Sequence, residues 1–400
     1  MRDYPSVIIT EKAEKSARAG HPWVYLEEIV ERRGIPENGE IVDVLSKKGR
    51  YLGSGFYNDI SKIGVRLISR NTNDKFDPAF WERRIRYAVD YRRVVMGEDF
   101  SCCRLIFGEA DGFPGLTVDY FDGVLVAEVL CLGIDKRKEL IFNTLIEYLS
   151  QFAKVDALYE RSDSPIRKLE GLECRCGFFY GSGSGSVDIV ENGIKYSVDY
   201  LSGQKTGFFL DQKYNRLAIR RLAKGRRVLD CFTHTGAFAL NAAAAGASRV
   251  VAVDISESAL EVAKSNAALN SLSDRVDFVC ADVFDWLTNL ERSGKCDFDL
   301  IILDPPAFTK SRATVKDAVR GYKEINLKAM KLLRRGSFLA TCSCSHFMTD
   351  TLFCHMLRDA AEDAGVSLRE IERRRQSPDH PILWNVPETE YLKFFIFQIV

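Results

Sequence analysis

Five short apolar runs in the second half of the chain, RRVLDCF (226–232), RVVAVD (249–254), RVDFVCAD (275–282), FDLIILD (298–304) and SFLATCSC (337–344), are separated by segments of helix length. Strands that alternate with helices build a parallel sheet covered on both faces, so this pattern fixes an α/β architecture. Ligands of such sheets sit outside the carboxyl ends of the strands. Four of those ends carry an acid: Asp230, Asp254, Asp282 and Asp304. One aspartate there is ordinary turn or capping chemistry, but four in succession point to a polar ligand.

The first strand-to-helix turn reads LDCFTHTGAF, with Gly236 where the chain bends into a helix. It lacks the G-x-G-x-x-G that brings a backbone against a pyrophosphate, which disfavours a dinucleotide. Asp254 is placed where an acid can accept hydrogen bonds from both hydroxyls of a ribose. S-adenosylmethionine carries a ribose and an adenine but no phosphate. In the following segment, SESALEVAKSNAAL, Ser258 and Glu261 have capping-box spacing, while Leu260, Ala263 and Ala267 can face the sheet. These residues resemble class I S-adenosylmethionine-dependent methyltransferases. The resemblance implies the methionyl end near Asp230, the ribose at Asp254 and the adenine amino group at Asp282, with Ile255 and Val283 also among the cofactor contacts.

LDPPAF (303–308) follows the fourth strand, and two successive prolines hold that loop rigid. In methyltransferases of this class such a loop lies over the reacting base, which implies that Asp304 or its backbone contacts a ring nitrogen. The fifth strand should end near 342–344, beside Asp304. Alternation sends Cys342 and Cys344 to one face and Ser343 to the other, although it can fail where a strand ends. Cys342 is therefore expected in packing and Cys344 in chemistry. A thiolate suits methylation of cytosine carbon 5, a poor nucleophile until sulfur adds to carbon 6. Two other readings stand: both cysteines as small core residues, or a metal site with Cys174-Arg-Cys176, although two C-x-C pairs are weak metal signals.

The 400 residues suggest two or three domains, and 56 basic against 56 acidic residues advertise no polyanion partner globally. The N-terminus lacks an apolar core of signal-peptide length, and no segment approaches the roughly 18 apolar residues of a membrane span. A cytoplasmic protein with reduced thiols is expected from this and from its 11 scattered cysteines. Residues 7–70 alternate in short β-like runs, GEIVDVL and IGVRLIS among them, interrupted by a polar, basic segment, 10–25, that could be a short helix ending near Gly20. FWERRIRYAVDYRRVVM (80–96) has helical spacing, with Arg83, Arg84, Arg86, Arg92 and Arg93 as either a solvated face or an RNA contact. GSGSGS (181–186) has the composition of a connector or tight loop, and Asn192-Gly193 signals a hairpin.

The whole chain resembles the bacterial large-subunit ribosomal RNA methyltransferases of the cytosine-5 type, through HPWVY (21–25), TGFFLDQKYNR (206–216), DCFTHTGAFAL (230–240), LDPPAF, RGYKEIN (320–326), SCS (343–345) and DHP (379–381). The resemblance implies three domains: a small β-rich PUA-like RNA-binding domain at 1–72, a central mixed α/β domain at 73–186, and a Rossmann-like methyltransferase domain with a mainly parallel seven-stranded sheet at 187–400. It further implies that Phe209, Asp211 and Arg216 close the S-adenosylmethionine pocket, that Phe232, Thr235, Gly236, Asp254 and Asp282 line it, and that Cys344 is the nucleophile. Ala307 follows Pro306 where many RNA cytosine-5 methyltransferases keep a second thiol, which fits a single-cysteine branch. Arg320, Tyr322 and Lys323 could touch RNA, or Tyr322 could pack internally. RRRQ (373–376) could add a basic edge or be a solvated face. The expected partner is large-subunit ribosomal RNA, with no membrane, and homodimerisation is left open. Competing functions are methylation of a guanine nitrogen, which needs no cysteine, a small-molecule methyltransferase, and a non-catalytic RNA-binding assembly factor.

Overall fold

The computed structural model describes residues 4–294, 297–309 and 311–400. The chain divides into two compact units, each built from separate stretches: 1–189, 198–210 and 378–389 form the first, and 190–197, 211–377 and 390–400 the second.

The first unit holds two sheets. A six-stranded sheet runs, in spatial order, Trp23–Tyr25, Ile63–Ser69, Tyr51–Tyr57, Ile41–Ser46, Ser6–Ile9 and Ile29–Arg33. Its core joins Val7, Ile9, Val24, Val42, Val44, Val65 and Leu67 to Ala13 and Ala17 of a helix, Glu11–Arg18, which the side chain of Thr10 caps by accepting from the Ala13 amide. A five-stranded sheet, Arg175–Gly181, Ala157–Ser162, Val124–Val129, Leu116–Phe121 and Cys102–Phe107, is accompanied by the helices Pro78–Met96 and Lys138–Leu149. The expected arginine face on Pro78–Met96 needs correction at Arg92, which is fully buried. Its guanidinium donates to both oxygens of Asp111 and to the carbonyls of Ala88, Arg104 and Asp379, so a buried charge is neutralised and saturated. The GSGSGS stretch is a tight loop: a Cβ on Gly181 would lie 2.0 Å from the Asp156 carbonyl, and one on Gly183 2.3 Å from the Tyr200 hydroxyl. The hairpin forms between Ser186–Glu191 and Ile194–Asp199, with Asn192 and Gly193 both at positive φ, as a type I′ turn demands.

The second unit carries a seven-stranded sheet: β1 (Arg227–Cys231), β2 (Arg249–Asp254), β3 (Val276–Cys280), β4 (Leu300–Leu303), β5 (Phe338–Ser343), β6 (Leu368–Arg374) and β7 (Lys393–Ile399). Their order is β3-β2-β1-β4-β5-β7-β6, parallel through β5, with β7 antiparallel between β5 and β6. Six helices accompany it: α1 (Lys213–Ala223), α2 (Ala237–Ala244), α3 (Glu257–Leu269), α4 (Val283–Ser293), α5 (Val315–Leu332) and α6 (Asp350–Ala364). Leu229, Ile301, Leu303, Leu339, Phe353, Phe395 and Phe397 belong to one fully or nearly fully buried core, each contributing roughly 1.5–3 kcal/mol by leaving water. The α3 cap is Ser256, whose hydroxyl accepts from the Ala259 amide, rather than the expected Ser258; Glu261 pairs with Lys264 instead. The strand order, not the strand direction, reverses between β1 and β4, the switch point at which α/β sheets open a ligand crevice.

Candidate active site

The turn from β1 into α2 is strained by design. Phe232, His234 and Gly236 all have positive φ, an arrangement that non-glycine residues adopt only when their surroundings over-determine it. Asp254 supplies part of that constraint: its Oδ2 accepts from the His234 amide at 2.8 Å and its Oδ1 from the Ser256 amide at 2.9 Å. Space around Gly236 is also tight, because a Cβ there would come within 3.1 Å of the Ala263 methyl. Thr235 offers its carbonyl to Asn266, fixing the turn against α3.

Asp230 is fully buried. Its Oδ2 accepts from the Thr233 hydroxyl at 2.6 Å and the Ala239 amide at 2.9 Å, while Oδ1 is buried without a partner. Burial pushes this carboxyl up to about 7, and the neighbouring charge of Asp304 adds to the rise. Asp304, half-buried just after β4, is pushed up to about 6, again mainly by desolvation. Its Oδ1 accepts from the Cys342 thiol at 2.7 Å and from Gln212 Nε2 at 3.0 Å.

Asp282 differs from its expected place at a strand end. It stands two residues beyond β3 as the N-cap of α4, exposed, with Oδ1 accepting from the Phe284 and Asp285 amides. One oxygen is thus committed to capping and the other faces solvent. Val283 is 2% exposed and its side chain lies in the core, so only its backbone is available to a ligand; Ile255, at 70%, presents an apolar side chain at the mouth.

The Pro-Pro loop is held from several sides. Phe308 packs on Tyr322 at 4.6 Å, Phe284 at 5.9 Å and Phe232 at 6.4 Å between ring centroids, and the Ser345 hydroxyl donates to the Thr309 carbonyl. Tyr322 is fully buried and accepts from the Ser343 hydroxyl, which assigns it to packing rather than to RNA. Arg320 pairs with Asp317 and Lys323 with Asp363, and the three arginines of RRRQ pair with Asp350, Glu372 and Glu390.

The two cysteines part company at the end of β5. Cys342 is fully buried, and its thiol is engaged by Asp304 and Gln212, so it belongs to a polar network rather than to inert packing; burial and the adjacent carboxylate hold its pKa far above the ordinary value. Cys344 is partly exposed. It lies within electrostatic reach of Lys393, whose ammonium donates to the Ser345 and Tyr391 carbonyls and is pushed down to about 8 by burial.

Three members of TGFFLDQKYNR acquire definite places. Asp211 accepts from the Tyr391 hydroxyl at 2.7 Å. Arg216 is buried in a bidentate ion pair with Glu191 at 2.6 and 2.8 Å, which supports the hairpin, and its charge also acts on Asp304. Phe209 belongs to the first unit, half-buried under Lys205. Sequence reasoning missed Gln212 and Glu191. Gln212 lies inside a quoted motif, yet nothing in its spacing marks it as the residue whose Nε2 donates to Asp304 and Cys342 while its Oε1 accepts from Asn215.

This mouth fits S-adenosylmethionine. The unpartnered Asp230 oxygen calls for a buried donor, the Asp254 oxygens keep lone pairs free for hydroxyls, and Ile255 offers an apolar surface. No cluster of three or more metal-ligating side chains occurs among the described residues. The sheet order and this turn define a class I S-adenosylmethionine-dependent methyltransferase.

A family model for S-adenosylmethionine-dependent methyltransferases matches residues 103–398, and one for PUA-like domains matches residues 7–70. Ribosomal RNA large subunit methyltransferase I of Tolumonas auensis is 40% identical over 399 residues, covering 99% of each chain. The protein of that name from Klebsiella pneumoniae strain 342 is 38% identical over 400 residues, also covering 99% of each. Among solved structures, a Streptococcus mutans protein assigned as a SAM-dependent methyltransferase superposes with a TM-score of 0.83 at 21% identity, over 98% of this chain and 99% of its own. At that identity the likeness speaks for the fold. The chain belongs to the ribosomal RNA large subunit methyltransferase I family of S-adenosylmethionine-dependent methyltransferases.

Proposed function

We propose that the protein transfers a methyl group from S-adenosylmethionine to carbon 5 of a cytosine in 23S ribosomal RNA, through a covalent adduct with Cys344. The end-to-end match to ribosomal RNA large subunit methyltransferases I supports the ribosomal substrate, and the PUA-like match supports RNA binding. In this reading residues 1–72 and 73–186 serve the RNA and 187–400 the chemistry.

The observation that carries the cytosine assignment is the contrast at the end of β5: one thiol sealed against Asp304, the other partly open, with the Lys393 ammonium within electrostatic reach of both. A free thiol has a pKa near 8.5, so only a few per cent is thiolate at neutral pH, and a neighbouring cation raises that share. S-adenosylmethionine supplies the electrophilic methyl group. Asp230 would hold its methionyl amine, Asp254 its ribose hydroxyls, and the free oxygen of Asp282 its adenine amino group. The Cys344 thiolate would form a bond to cytosine carbon 6, which moves the ring π electrons onto carbon 5 for attack on the methyl carbon, whose bond to the sulfonium breaks with its electron pair left on the sulfur of S-adenosylhomocysteine. Removal of the carbon-5 proton then breaks the sulfur–carbon bond and returns the thiolate. Asp304, with its carboxyl raised to about 6, is suited to hold a proton against the ring nitrogen during these steps.

The test is trapping on ribosomal RNA containing 5-fluorocytosine, where the last step is blocked. Wild-type protein and Cys342→Ala should form a protein–RNA adduct. Cys344→Ala should form none and lose methylation by at least about a thousandfold. Methyl transfer surviving in Cys344→Ala would move the target to a guanine nitrogen.

A further inference from the structure

The first unit contains a cavity of about 580 Å³ bounded by three stretches distant in sequence: residues 67–70 of the six-stranded sheet and its exit, helix Pro78–Met96, and the segment 381–386. Two arginines face it. Arg70 donates to the His21 carbonyl at 3.2 Å and Arg84 to the Ile68 carbonyl at 2.7 Å, acceptors that carry no full charge. Burial lowers both pKa values, and at Arg84 the charge of Asp74 offsets this only in part. The acids of the wall are already engaged: Asp111 binds Arg92, and Glu109 binds Arg66 and the Trp23 indole. Nearby Asp74 binds Arg83 and the Ser69 hydroxyl. Two glycines at positive φ leave the wall as bare backbone, since a Cβ on Gly112 would lie 2.6 Å from the Arg84 guanidinium and one on Gly20 1.9 Å from the Asn385 amide.

Aromatic surface surrounds these charges. Tyr87 and Tyr91, four residues apart on one helical face, line the cavity at 66% and 38% exposure. Trp384, between the lining residues Leu383 and Asn385, is 94% exposed. A tryptophan so exposed, flanked in sequence by two residues of the cavity wall, buries almost no ring surface that packing would explain. Exposed ring faces beside arginines are what unpaired bases and their phosphates require, whereas a duplex keeps its base faces stacked inside.

We propose that this cavity is a binding site for an unpaired nucleotide of an RNA strand, with its base stacked on Trp384 and the Tyr87–Tyr91 face and its phosphate on Arg70 and Arg84. The assignment rests on the RNA-methyltransferase reading for the identity of its ligand and adds an RNA site made entirely by the first unit.

The experiment is fluorescence anisotropy of the full-length protein with a short, unstructured pyrimidine RNA, without methyl donor, across a salt series. Trp384→Ala should weaken binding about tenfold and Tyr87→Ala several-fold. Arg70→Met/Arg84→Met should flatten the salt dependence by about 0.7 in logarithmic slope for each phosphate that is no longer neutralised. S-adenosylmethionine binding, followed by calorimetry, should be unchanged in Trp384→Ala, which removes only an exposed ring. Unchanged affinity and slope in these variants would overturn the site while leaving methyl transfer intact. A mononucleotide competing as well as the strand, or a duplex binding more tightly, would overturn the ligand class. Trp384-dependent RNA binding in a protein that fails to methylate ribosomal RNA would support the site and refute the catalytic reading alone.

Discussion

Asp230, on β1, and Asp304, just past β4, differ from Asp254 and Asp282, on β2 and just beyond β3, in the way they are held. Both oxygens of Asp254 and one of Asp282 accept backbone amides, so these acids organise a turn and cap a helix. The first pair is desolvated and mutually repelling, with both carboxyls raised, and Asp230 keeps one oxygen unsatisfied. Acids that look equivalent in the sequence thus divide into those that build the site and those that are costly until a ligand arrives.

The sharpest way to break this contrast is Asp230→Asn. A carboxyl whose folded pKa of about 7 exceeds its unfolded value binds an extra proton in the folded state, so stability falls as pH rises from about 4 to 7 and the loss is complete above the folded value. The slope is at most about 1.4 kcal/mol per pH unit, and Asp230→Asn should flatten it, giving a ligand-free protein more stable than wild type at pH 8. Denaturant titrations at several pH values measure this. The same variant should bind S-adenosylmethionine about a hundredfold more weakly by calorimetry, since a charge-assisted hydrogen bond is removed. Asp254→Ala comes next: about tenfold weaker binding, together with about 1–2 kcal/mol less stability as two turn amides lose their acceptor. Asp282→Ala should cost about 1 kcal/mol of stability through the missing helix cap, with the smallest effect on affinity. If Asp282→Ala weakened binding as much as Asp230→Asn, the division into builders and ligand acceptors would fail.

What was legible in the sequence follows from periodicity and turn chemistry. Strand–helix alternation, the four acids, Gly236 and the Asn192-Gly193 turn are local signals, and the sheet and its mouth are where they imply. The remainder depends on residues far apart in the chain. Glu191 meets Arg216, Tyr391 meets Asp211, and Lys393 lies near Cys344 only because β7 inserts next to β5. Gln212 joins Asp304 to Cys342 across a long stretch of chain, a partnership no spacing rule encodes. Arg92 has the same flanking pattern as Arg93, yet it is buried because Asp111 and Asp379 converge on it.

The segment 378–389 limits how this protein can be inherited or dissected. Asp379 accepts from the Arg104 amide and pairs with His380, and its carbonyl accepts from buried Arg92, so the first unit draws an internal strut from beyond most of the second unit's sequence. A gene fragment ending at residue 189 would encode Arg92 and Arg104 without that strut, stranding donors inside a core. The two units also interleave along the chain, so no single cut yields either of them whole. Recombination at one crossover therefore cannot exchange either unit whole for a relative's.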